Sequence, residues 1–189
     1  MNQDVKDLLA TKTDEELDNY LRYPKKFSSS EIEEALVELQ RREKTFTDLQ
    51  LVYLQRVIER KRIQEDPTIP SYYSQMGIWW FSVLFSVLFG AILLSLNIQN
   101  RRDKWVVIGF GITYFVFIFI MVERVGSSSA TLTSIILNSI GGAVLQTYFW
   151  NKYIGMRTPY RRKSILIPVL IALGISVPLL ILSVYFNGV

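Results

Sequence analysis

The sequence predicts an all-α polytopic membrane protein, with four transmembrane or membrane-embedded helices preceded by a small helical cytoplasmic domain. Three observations lead there. Beyond residue 76 the chain holds four uncharged apolar runs, each near the ~20 residues a helix needs to cross a hydrocarbon core about 30 Å thick. The runs are continuous, not alternating, which argues against an outer-membrane barrel. Charge is also split: residues 1–76 carry 12 Lys+Arg and 15 Asp+Glu, a net of −3, while 77–189 carry 9 Lys+Arg and 2 acids, a net of +7. The basic balance therefore belongs to the apolar half and gives no soluble cationic face for nucleic acid.

The first 65 residues read as short amphipathic helices. Val5, Leu8 and Leu9 fall at helical spacing, and Thr13 with Glu16 forms a capping box ahead of Leu17, Tyr20 and Leu21. Pro24 stops that helix. A second box is expected at Ser30 and Glu33, opening a helix whose buried stripe is Ile32, Ala35, Leu36 and Leu39, with Glu38 and Arg42 paired four apart. Thr47 with Gln50 marks a third start, followed by Leu51, Leu54 and Ile58 to about Gln64. Helices this short bury a small core, so residues 1–65 are expected to lean on the apolar part or on a partner.

The run Thr13–Arg42 resembles an acidic helical segment that precedes the membrane spans of uncharacterised bacterial membrane proteins. The resemblance implies a helix, a Pro-Lys-aromatic turn, a second helix and a cytoplasmic location. It carries no activity and no functional residues.

Residues 66–76 read as a linker, with Pro67, Pro70 and the pair Tyr72-Tyr73 leading to Trp79-Trp80, an aromatic belt. The expected membrane segments are about 77–97, 105–122, 129–151 and 164–186. The first 26 residues are polar and charged, without a cleavable signal's apolar core, which places the N-terminus in the cytoplasm of a bacterial inner-membrane protein. Four full crossings conflict with the positive-inside rule. They would put Arg101, Arg102, Lys104 and the basic loop 152–163 outside, with Arg124 alone inside. A re-entrant third segment turning at Gly141-Gly142 is the alternative, and it returns the second basic loop to the cytoplasm.

Helix packing is the expected role of Ser82, Ser86 and Gly90, which fall four apart along one helix face, and of Ser139, Gly142 and Ala143. A self-association face giving a homo-oligomer is the other use of such small residues. Asn138 or Gln146 is expected to bond across helices, and Glu123 to pair with Arg124 at the interface. Lys152, Arg157, Arg161, Arg162 and Lys163 are candidates for anionic lipid headgroups. The chain has no Cys and no His, which excludes disulfides, thiolate chemistry and imidazole catalysis. With no catalytic motif and no cofactor expected, the reading is a non-enzymatic interaction or assembly component. It sits in the lipid bilayer and engages a cytoplasmic protein partner through residues 1–65. A small transporter or channel subunit using the polar third segment is the alternative.

Overall fold

The computed structural model describes residues 3–125 and 127–187, and the regular structure there is almost entirely helical. It divides into two compact units, residues 1–70 with 159–161 and residues 71–158 with 162–189.

The first unit contains α1 (Gln3–Ala10), α2 (Asp14–Arg22), α3 (Ser29–Arg41) and α4 (Asp48–Glu65). Thr13 and Glu16 make the reciprocal capping box of α2, and Thr47 and Gln50 that of α4. At α3 the box is Ser28 with Glu31, not Ser30 with Glu33. Both four-residue stretches have the Ser-x-x-Glu form, and packing accounts for the one used. With Ser28 as cap, Phe27 and Ile32 take the two flanking positions of a hydrophobic staple, and Phe27 packs against the cluster that buries Ile32. Helix α3 is the spine of the unit. One edge joins Leu9 and Leu17 through Ala35 and Leu39, and the other joins Leu54 and Ile58 through Ile32 and Leu36.

Polar groups close this small core. The Arg42 guanidinium donates to Glu38 (2.8 Å), to Asp14 (2.8 Å), and to the carbonyls of Lys12 (2.8 Å) and Ala10 (3.0 Å). It thereby caps the end of α1 while meeting the expected Glu38 pairing. Lys44 bonds Asp18. The Glu65 carboxylate accepts the Ser29 N–H at 3.0 Å, tying the end of α4 to the start of α3. Helix α3 ends with Glu43 at φ 65°, the left-handed position usually given to glycine. Lys44 N–H then reaches the Leu39 carbonyl and Glu43 N–H the Gln40 carbonyl, both at 3.0 Å.

The second unit contains α5 (Gln75–Leu84), α6 (Val87–Ser95), α7 (Arg101–Arg124), α8 (Ser127–Val144) and α10 (Leu166–Asn187). Helix α8 continues through one wide π turn, Leu145–Phe149, into α9 (Trp150–Tyr153). A two-residue ladder pairs β1 (Ser71–Tyr72) with β2 (Arg161–Arg162).

Two expectations change here. The first apolar segment is not one helix. It breaks at Phe85-Ser86 and doubles back, so that Gly90 of α6 lies against Ser82 and the Ile78 carbonyl of α5. The third segment does not turn at Gly141-Gly142; it is helical straight through the glycine pair. Among the described residues, Arg101–Arg124 and Ser129–Tyr153 are long and apolar enough to cross a membrane, while Leu166–Leu179 is a shorter apolar stretch. The side chains of Ser127 and Ser128, part of the expected polar content of the third segment, lie outside the described residues.

Candidate functional site

The features that combine sequence-predicted residues are the α5–α6 hairpin and the helices that enclose it. The hairpin's open end is held by one side chain. Asn97 accepts the Tyr73 N–H and donates to the Tyr73 carbonyl, both at 2.8 Å, so residues 24 apart lock the two legs together.

Asn138, near the middle of the α8–α9 helix, seals the closed end. Its Oδ1 accepts the Val87 N–H at 2.9 Å, and its Nδ2 donates to Ser134 Oγ at 3.3 Å. Val87 begins α6, and Ser86 before it supplies no side-chain cap. The buried Asn138 amide thus satisfies a donor that the helix start leaves open. The Trp79 indole donates to the Ser139 carbonyl at 3.1 Å, and the Tyr114 hydroxyl to the Leu137 carbonyl at 3.1 Å. Hydrogen bonds from three elements therefore meet one turn of α8.

Small residues permit this approach. A Cβ on Gly90 would fall 1.9 Å from Ser82 Oγ, and one on Gly142 would fall 2.9 Å from Ser82 Cβ. At Gly141 it would sit 2.4 Å from a Val87 methyl, and at Gly111 2.5 Å from Ala91 Cβ. The predicted packing residues Ser82, Gly90 and Gly142 do converge, with one correction. Ser82, Ser86 and Gly90 do not share one helix face, because the break at Phe85-Ser86 turns α6 around. Ser82 and Gly90 face each other across the hairpin, and buried Ser86 sits at its closed end. Ser139 and Ala143 are half-buried on α8, and the Ser139 hydroxyl bonds back to the Ile135 carbonyl. Gly111 and Gly141 are packing residues that the sequence reading missed, Gly141 having been read only as part of a candidate turn; a glycine in an apolar run carries no sign of which distant residue will approach it.

The π turn brings Leu145, Phe149 and Trp150 inward together. Phe149 packs on Phe110 (centroids 4.9 Å apart), and Trp150 meets Tyr72 edge-on at 6.4 Å. Helices α7 and α8–α9 are thus antiparallel, because Tyr114 meets Leu137 while Phe110 meets Phe149.

The basic candidates separate. Lys152 lies over the Tyr148 and Tyr153 rings, and Lys163 over Tyr73. Arg157, Arg162 and Lys163 are exposed. Arg161 is committed elsewhere: its guanidinium donates to the Ile69 carbonyl at 2.9 Å and to that of Pro67 at 3.4 Å, within the first unit. It is not available to a headgroup. Glu123 and Arg124 are exposed and form no ion pair among the described residues, contrary to the expected interfacial pair, and Gln146 makes no inter-helix bond among them. No group of His, Cys, Asp and Glu among the described residues could hold a metal ion.

No protein-family model, no curated protein and no solved structure matches this chain.

Proposed function

We propose that the chain is a non-enzymatic multi-pass protein of a bacterial inner membrane, with residues 1–70 in the cytoplasm, acting as an interaction or assembly component through that N-terminal unit. The observation that carries this reading is an unpartnered stripe on α4. Leu49 (83% exposed), Tyr53 (61%) and Val52 face outward along one side, which continues as Arg56 and Arg60. A helix with its own buried face at Leu54 and Ile58 has no folding reason to carry a second apolar face, so the stripe suits a protein partner. The second unit supports a scaffold role. Asn138, Ser82, Ser95 and Asn97 are buried polar residues there whose side chains all bond to backbone groups within the unit. A small transporter or channel subunit using the polar third segment is the second reading; in that segment the Asn138 amide is taken up by the Val87 N–H.

The test is crosslinking and affinity purification from native membranes, comparing the full chain with one lacking residues 1–65 and with a Leu49→Ser, Tyr53→Ser variant. The bundle should stay in the membrane in all three, with the same co-purifying proteins lost from both altered forms. An unchanged set of partners would overturn the proposal.

A further inference from the structure

The geometry points to α5–α6 as a re-entrant hairpin, which enters and leaves the bilayer on the cytoplasmic side and gathers the basic segments of the second unit into a collar for anionic lipid headgroups on that side. This rests on the proposal that the unit lies in a membrane.

Depth is the first argument. Helix α5 has 10 residues and α6 has 9, so each leg is about 15 Å long, half of a ~30 Å hydrocarbon core. The closed end lies against Asn138, and Tyr114, midway along α7, marks the same level of α8 through Leu137. The turn thus stops halfway down two helices that are each long enough to cross.

Backbone chemistry is the second. Irregular backbone survives at membrane depth only when buried in protein, because each unsatisfied amide costs several kcal/mol in lipid. At this turn Ser86 and Val87 are buried. Phe85 N–H bonds the Phe81 carbonyl at 3.1 Å, Gly90 N–H the Ser86 carbonyl at 3.2 Å, and Val87 N–H the Asn138 amide. A turn so enclosed can sit at mid-bilayer.

Charge is the third. The hairpin's open end, Tyr73 with Asn97, shares one end of the unit with α9, since Tyr72 meets Trp150 and Lys163 N–H bonds the Tyr72 carbonyl at 2.9 Å. Antiparallel pairing brings the start of α7 to that end as well. Arg101, Arg102 and Lys104 therefore lie at the same level as Lys152, Arg157 and Lys163. An even number of membrane passages before α7 makes this the cytoplasmic end, and one crossing of residues 77–97 would make it the outer end. The hairpin removes the conflict with the positive-inside rule and leaves Arg124 as the outward cation. Tyr73, Tyr148 and Tyr153 beneath Lys163 and Lys152 give this end the aromatic-plus-cation character of a headgroup layer.

The chain has no cysteine, so single-cysteine variants report position directly. Gln40→Cys, Gln99→Cys, Val125→Cys and Met156→Cys are expressed and treated with a membrane-impermeant maleimide, in intact cells and after permeabilisation. Val125→Cys should react in intact cells, and the other three after permeabilisation alone. Reaction of Gln99→Cys in intact cells while Gln40→Cys is protected would overturn the hairpin. Extraction of the protein by alkaline carbonate, with Val125→Cys also protected, would instead overturn the membrane reading beneath it. For the collar, the purified full chain is placed in phosphatidylcholine vesicles containing brominated phosphatidylglycerol, and tryptophan quenching is followed. The R101Q/R102Q/K104Q variant should lose preference for the anionic lipid by roughly fivefold or more. An unchanged preference would overturn the collar.

Discussion

The sharpest consequence of the folded-back first segment is a coupling between Ser82 and Gly90. In one continuous helix these residues would lie about 12 Å apart along the axis and could not interact. In the hairpin a Cβ at position 90 would fall 1.9 Å from Ser82 Oγ, 3.1 Å from Ser82 Cβ and 3.2 Å from the Ile78 carbonyl. The hydroxyl cannot swing away freely, since it is bonded to the Ile78 carbonyl at 2.9 Å and Gly142 closes the other side. Overpacking of this kind costs about 1–3 kcal/mol, while replacing a helical glycine by alanine returns about 1 kcal/mol. Gly90→Ala should therefore destabilise the wild-type background by roughly 0–2 kcal/mol. With Ser82→Gly the Oγ and Cβ are gone, and the same substitution should be neutral or stabilising by up to about 1 kcal/mol. The coupling, about 1–3 kcal/mol, is read from a double-mutant cycle of reversible unfolding in mixed micelles. Additive effects, with a coupling below about 0.5 kcal/mol, would refute the folded-back geometry.

Two further outcomes concern the first unit. Glu43 is exposed in a left-handed conformation, so Glu43→Gly should stabilise the unit by about 0.5–1 kcal/mol, after allowing for the added freedom of the unfolded chain; slower hydrogen exchange in α3 would register it. Hydrogen bonds from Arg41 and then Arg42 hold the Glu38 carboxyl at about 2, well below its ordinary 4.5. The folded state binds that proton more weakly than the unfolded chain does. The contribution is therefore fully present above about pH 4.5 and is lost as pH falls towards 2. Glu38→Gln should flatten this acid limb in hydrogen exchange of α3, and an unchanged limb would refute the pairing.

How much was legible in the sequence follows from how far each signal reaches. The capping boxes at Thr13 and Thr47, the stop before Pro24, and the stripe Ile32, Ala35, Leu36 and Leu39 are set by residues three or four apart. They appear in the structure as expected. The Ser28 cap marks the first limit. The helix is expected to start from Ser30 and starts from Ser28, where the preceding Phe27 packs against a core built partly by α4. The chemistry excluded by the absence of Cys and His was likewise readable without any fold.

What the sequence by itself determined is the all-helical class and where the charges and the apolar runs lie, because periodicity and composition are local. The break in residues 77–97 was decided by tertiary structure. The repeat Phe-Ser-Val-Leu-Phe-Ser-Val-Leu-Phe-Gly has no proline and offers no preferred place to turn. The turn is held instead by Asn138, 51 residues further on, bonding the Val87 amide, and by Asn97 joining Tyr73 at the open end. An unpaired amide in an apolar interior is too costly to leave, so the chain breaks where a distant side chain can satisfy it. No window of neighbouring residues contains that partner.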